Sequence, residues 1–184
     1  MIFRVKNNRL YKVEIKKELE DIFLQNQQGG SVKFIKVTED ELPEIEPHLP
    51  KFYKYDENKK IVPDMDRIKK EYAKVLKEKV SRYIFTYYPQ EKQNSDLADK
   101  LYYENILKAK GVSKIEKGIN NRVIDFYNGK TIEETIKNIS DENKEAYRQL
   151  VKVGIRVAWV QMCKDAYKEA IANLSKINLP KYPL

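Results

Sequence analysis

Residues 150–163, LVKVGIRVAWVQMC, are the most apolar run of this chain, interrupted only by Lys152, Arg156 and Gln161. The run is shorter than the roughly 20 apolar residues a bilayer requires, so it reads as a buried core helix. A helix that is apolar on nearly every side is buried on nearly every side. This one is therefore expected to run from Asp141 to Leu174 and to be the element against which the others pack. Gly154 costs about 1 kcal/mol relative to Ala inside a helix, and its place in the run predicts a close helix crossing.

Upstream of it the chain keeps a helical period. Asp64 is a good N-cap, and Ile68, Tyr72, Val75, Leu76, Val80, Tyr83, Ile84 and Tyr87 form a stripe that Pro89 ends. A second helix is expected from Asn94 or Ser95 to Gly111, with Leu97, Leu101 and Ile106 on its apolar side. Two capping boxes follow, Ser113 with Glu116 and Thr131 with Glu134, each opening a helix. The first carries Ile115, Ile119, Val123 and Phe126; the second carries Ile132, Ile136 and Ile139. Asn128-Gly129 separates them. Asn178–Leu184, with Pro180 and Pro183, is expected to be extended.

The first third follows different rules. Ile2–Val5 and Leu10–Ile15 flank Lys6-Asn7-Asn8-Arg9, a hairpin turn in which Asn tolerates left-handed backbone angles. Ile15, Leu19, Ile22 and Phe23 predict a short amphipathic helix, broken at Gly29-Gly30. Ser31–Val37 alternates as a strand does. Pro43, Pro47 and Pro50 make the acidic stretch from Thr38 onward an extended connector. Lys51–Tyr55 and Lys60–Val62 predict a second hairpin. The expected fold is α+β: a small N-terminal β-rich region over 1–63, then a predominantly α-helical bundle of about five helices over 64–184, with the long core helix last.

The chain has 184 residues, enough to bury a core without covalent staples. Cys163 is the single cysteine, so an internal disulfide and a cysteine-based zinc site are both excluded. The first residues, MIFRVKNNRLYK, lack the apolar run of a signal peptide, and the expected compartment is the cytoplasm. The formal charge is +8. Residues 1–63 hold 12 Lys/Arg against 11 Asp/Glu, and residues 64–184 hold 24 against 17, so the excess lies on the helical part. Of the 36 basic residues 29 are Lys, interleaved with acids at helical spacing, which reads as a solvated surface rather than a nucleic-acid face.

Catalytic chemistry finds little to stand on. His48 is the only histidine and lies between Pro47 and Leu49, without a recognisable orienting partner in the sequence. Cys163 sits on the most apolar helix, where a thiol is inert. The acids Glu39, Asp40, Glu41, Glu44 and Glu46 lack the glycine turn and ligand offsets of a calcium loop. Gly29-Gly30 lacks the spacing of a phosphate loop. The expectation is a protein that is not an enzyme and uses no cofactor or metal. Thirteen tyrosines are the richest contact chemistry in the chain, because tyrosine joins an apolar body to a polar tip.

Lys51–Asp64, KFYKYDENKKIVPD, leads into a charged helix that ends at Tyr87-Tyr88-Pro89-Gln90-Glu91-Lys92-Gln93. A hairpin of this type, then a Lys/Glu helix, then a Tyr-Pro-x-x-Lys-Gln turn resembles small accessory proteins of phage and prophage tails, some of which are tail-fibre assembly factors. The resemblance spans about residues 51–110 and carries no catalytic residues. It implies a structural or assembly role by protein–protein contact, in the host cytoplasm or in a virion or tail-like particle. The expected contact residues are Tyr87, Tyr88, Lys92, Gln93, Tyr102 and Tyr103. The expected partner is another protein, a phage structural protein or a second copy, and not a membrane. The alternative is a phage-encoded inhibitor that binds a nucleic-acid-handling host complex through its basic helical face; direct DNA binding through Ile68–Arg82 ranks below both.

Overall fold

The computed structural model describes residues 1–27, 30 and 32–184; Gly29 and the expected strand start at Ser31 lie outside the described residues. The chain is α+β and divides into two compact units, Met1–Val75 and Leu76–Leu184.

In the first unit, β1 (Ile2–Lys6) and β2 (Arg9–Val13) form the expected hairpin. Its two-residue loop places Asn7 and Asn8 at φ 50° and 61°, the left-handed pair that a tight hairpin turn demands. β3 (Lys33–Lys36) pairs antiparallel with β1, β4 (Tyr53–Tyr55) with β2, and β5 (Ile61–Pro63) with β4. The result is one five-stranded antiparallel sheet, ordered β3-β1-β2-β4-β5. In the β4–β5 turn, Asp56 Oδ1 accepts from the amides of Asn58 and Lys60 at 2.9 and 2.8 Å. Pro63, which has no N–H to give, ends the edge strand.

The short helix departs from expectation. A 3-10 turn at Lys17–Leu19 leads into α1 (Glu20–Asn26). Leu19 and Ile22 are exposed and Glu20 is the buried residue, so the Ile15–Phe23 stripe is not a core face. Only Phe23 meets an aromatic partner, Phe34, edge-on at 5.2 Å.

α2 (Met65–Tyr87) opens on Asp64, as its N-cap position predicts. Asp64 is fully buried; its Oδ1 accepts weakly from Arg67 N at 3.4 Å and its Oδ2 lies 3.0 Å from Arg9 Nε. The Arg67 guanidinium stacks 3.9 Å from the ring centre of Phe52 and 4.5 Å from that of Tyr11. The division between the units falls within α2. Its stripe buries Ile68, Tyr72, Leu76, Val80 and Ile84, while Val75 and Tyr87 are exposed.

The second unit contains α3 (Gln90–Ala109), α4 (Ile115–Tyr127), α5 (Ile132–Ile136) and α6 (Asp141–Asn173). α3, α4 and α5 all pack on α6. One apolar cluster joins Leu107, Ile115, Ile119, Val123, Ile136, Leu150, Val151 and Ile155; a second joins Val80, Ile84, Tyr88, Trp159 and Cys163. Gly154 is where α6 meets α4: a Cβ there would lie 2.7 Å from Val123 Cγ2. That distance is too short for a Cβ unless the Val123 side chain or its helix shifts, so the close crossing favours glycine.

Three expectations about helix ends and the burial of α6 fail in this unit. α3 begins at Gln90, not at Asn94 or Ser95, because Pro89 supplies the extended N-cap residue and Gln93 N already bonds to Pro89 O. The Ser113–Glu116 box does not form: Lys114 is the N-cap residue, in the left-handed region at φ 55°, with no side-chain cap. α6 is not apolar-buried on every side, since Val157 is exposed and Arg156 is buried. The Thr131 box does form: Thr131 Oγ1 accepts from Glu134 N at 3.2 Å, and Glu134 Oε2 from Thr131 N at 2.6 Å.

Candidate interaction surface of the helical unit

The corner between α2 and α3 is built around a buried carboxylate. Tyr88 lies on the last turn's inner side, and its carbonyl accepts from Gln93 Nε2 at 2.8 Å, which satisfies an orphan group at the helix end. The Tyr88 hydroxyl donates to Asp96 Oδ2 at 2.9 Å. From α6, the Arg156 fork closes on the same carboxylate: Nη2 donates to Oδ1 at 2.7 Å and Nε to Oδ2. Lys92 Nζ adds a contact to Oδ1 at 2.8 Å. Asp96 and Arg156 are 1% and 7% exposed, so both charges are out of water.

Burial alone would raise the Asp96 pKa. The hydrogen bonds from Arg156, Lys92 and Tyr88 outweigh it and hold the carboxyl below its ordinary value. Burial, and then the Asp96 bond, push the Tyr88 phenol well above its ordinary value. Asp96 therefore stays charged and Tyr88 stays protonated at neutral pH. This is a clamp between α3 and α6, made of a paired and fully bonded charge.

The six contact residues expected from sequence do not form one surface. Tyr88, Lys92 and Gln93 are engaged in the clamp. Tyr87, 47% exposed, stacks on Tyr182 at 5.6 Å and meets Trp159 edge-on. Tyr102 is 62% exposed on α3 and lies edge-on to Tyr103, which packs against the first apolar cluster.

Leu97, Leu101 and Val157, expected in the core, lie on the surface instead. Leu97 and Leu101 of α3 are 61% and 58% exposed and Val157 of α6 is 57% exposed; Ile124 of α4, outside the expected apolar face of its helix, is 58% exposed. Between these three helices runs a groove of about 590 Å³. Its floor holds Ile119, Val123, Leu150, Val153 and Gly154. Lys100, Glu104, Glu116, Asn120 and Gln161 supply its polar groups. Leu97, Lys100, Leu101 and Glu104 share one face of α3, at i, i+3, i+4 and i+7, so the exposed leucines continue the groove's α3 wall. An apolar surface rimmed by charges is the usual form of a protein contact site.

The other candidates hold structural roles. Glu41 Oε2 accepts from Thr38 N and Oγ1 at 2.7 and 2.8 Å, which folds the acidic connector into a turn. The His48 ring lies edge-on to Tyr72 at 5.8 Å. Cys163 is fully buried, and burial raises its thiol pKa. Among the described residues no group of three or more His, Cys, Asp or Glu could hold a metal ion, and no helix is long and apolar enough to cross a membrane. Asp96, Arg156, Ile124 and Val157 were not legible as special in the sequence; the one signal was Arg156 itself, a charge inside the most apolar run.

Compared with family models, curated proteins and solved structures, the chain matches none.

Proposed function

We propose that the protein acts without catalysis, by holding another protein in the groove between α3, α4 and α6. The observation that carries this reading is the exposure of Ile124 and Val157 in the lining of one groove, with Leu97 and Leu101 exposed on the same α3 face as its lining residues Lys100 and Glu104. The groove has the apolar floor and mixed-charge rim that receive one face of an amphipathic helix. The similarity of residues 51–110 to phage-tail accessory proteins includes α3, and it makes a tail structural or tail-fibre protein the finer form of the proposal. On that form the protein serves assembly in the host cytoplasm or remains in the particle.

Replacing Leu101 and Val157 by Asp in the full chain tests the reading. Both side chains are exposed, so the fold should survive. A partner captured by the native chain should be lost by the double variant, and tail proteins among those lost would support the finer form. A partner retained by the double variant would contradict the groove.

One observation favours contact with a nucleic-acid-handling complex instead. Lys70, Lys74 and Lys77 are exposed at i, i+4 and i+7 of α2, and none is in an ion pair among the described residues. Binding through them would weaken steeply with salt, whereas binding in the apolar groove would not.

A further inference from the structure

Beyond α6 the chain turns back on itself. Leu174 closes the helix in the left-handed region, at φ 49°, and Ser175 N bonds to Ala170 O at 3.0 Å. Helices that end in this way usually place glycine at the left-handed position, because a Cβ crowds the following carbonyl there. From Lys176 on, the segment is neither helix nor strand and makes no backbone–backbone hydrogen bond to the rest of the chain among the described residues.

Side chains of the helices hold it instead. The Trp159 indole N–H and the Tyr83 hydroxyl both donate to one carbonyl, that of Pro180, at 3.0 and 3.1 Å. Tyr182 stacks on Tyr87 and stands edge-on to Trp159 at 5.0 Å. Ile177 and Leu179 pack on the same cluster. An aromatic seat whose indole and phenol donors read a carbonyl next to proline is how extended proline-containing segments are recognised in general. Trp159 is fully buried, yet no residue of the segment is. The segment is a ligand lying on a site, joined to it by a short hinge.

We propose that Trp159, Tyr83 and Tyr87 form a recognition site for an extended proline-containing segment, and that residues 176–184 of a second copy occupy it in a reciprocally exchanged dimer. The contacts to Pro180, Tyr182, Ile177 and Leu179 are all made by side chains of the seat, so they are reproduced when the segment comes from another copy. The hinge supplies the bias. Swinging the segment outward frees Leu174 from the left-handed region, so the exchanged form loses the strain that the closed form keeps. The groove between α3, α4 and α6 takes no part, and the two sites are independent.

The full chain is examined by light scattering from dilute to concentrated solution, with the synthetic peptide KINLPKYPL, residues 176–184, as competitor. Trp159 is the sole tryptophan and reports on the seat. The expected result is a dimer that grows with concentration and dissociates when the peptide is in excess, while Trp159 emission stays that of a buried indole. Leu174→Gly removes the strain from the closed form and should weaken the dimer by about tenfold. It carries no folding risk, because glycine suits that backbone position. A chain that stays monomeric at the highest concentration overturns the proposal, whether or not the peptide binds. So does a dimer that the peptide leaves intact.

Discussion

The sheet of the first unit and the helices of the second follow opposite patterns. In the sheet, Ile2, Phe3, Leu10 and Tyr53 are inside, and turns set by Asn7-Asn8 and Asp56 fix the register. In the helices, Asp96 and Arg156 are inside while Leu97, Leu101, Ile124 and Val157 are outside. Folding alone explains the first pattern. The second costs stability twice, once in desolvated charge and once in exposed apolar surface. The apolar surface left exposed around the groove is what the proposed contact would cover.

The largest test of this contrast is the clamp. Removing one partner, by Asp96→Ala or Arg156→Ala, leaves a buried charge alone and should lower the unfolding free energy by about 3–5 kcal/mol. Changing both to Leu should cost less than either single change, and a double-mutant cycle in urea would measure it. The clamp also gives the unit a pH dependence. The Asp96 pKa is held below its unfolded value of about 3.9. Its contribution is thus complete above that pH and is lost as the pH falls through the folded pKa. In Asp96→Asn, the decline of stability below about pH 4 should be shallower.

Next in size is Gly154→Ala. Helix propensity alone would make it stabilising by about 1 kcal/mol. The 2.7 Å approach to Val123 Cγ2 should reverse the sign and cost about 1–3 kcal/mol instead, measured by thermal unfolding. Thr131→Ala removes a cap that forms in full and should cost about 1 kcal/mol. The smallest effect belongs to the exposed groove residues: Leu101→Asp and Val157→Asp should each change stability by no more than about 0.5 kcal/mol. A large loss there would mean that these side chains belong to the core after all, and the contrast would fail.

Local chemistry was legible in the sequence and long-range pairing was not. The Asn7-Asn8 turn, the Thr131 box, the stripe through Ile68, Tyr72, Leu76, Val80 and Ile84, and the Gly154 crossing each follow from a few neighbouring residues. The Ser113 box obeyed the same spacing and failed, because the chain enters α4 through a left-handed Lys114. The start of α3 was hidden since Pro89 is no conventional cap, and Gln93 satisfies the Tyr88 carbonyl from the next helix. Asp96 and Arg156 are 60 residues apart. No local period reports that they meet, and without their pairing Leu97 and Leu101 look like the buried side of α3. Placing Asp96 inward is what turns the leucines outward, so the groove could not be read from the sequence once the clamp was missed. Of the six expected contact residues, Tyr88 and Lys92 bond to Asp96 and Gln93 bonds to the Tyr88 carbonyl, pairings that residue type and the turn motif alone do not reveal.

The most direct measurement of the central claim compares capture of a partner by the native chain and by Leu101→Asp/Val157→Asp, at matched concentration and in moderate and high salt. The groove account predicts that the native chain retains its partner in both salts and that the double variant, with its unfolding free energy unchanged, retains none in either. A partner held equally by both chains, or released from the native chain by salt alone, would contradict it.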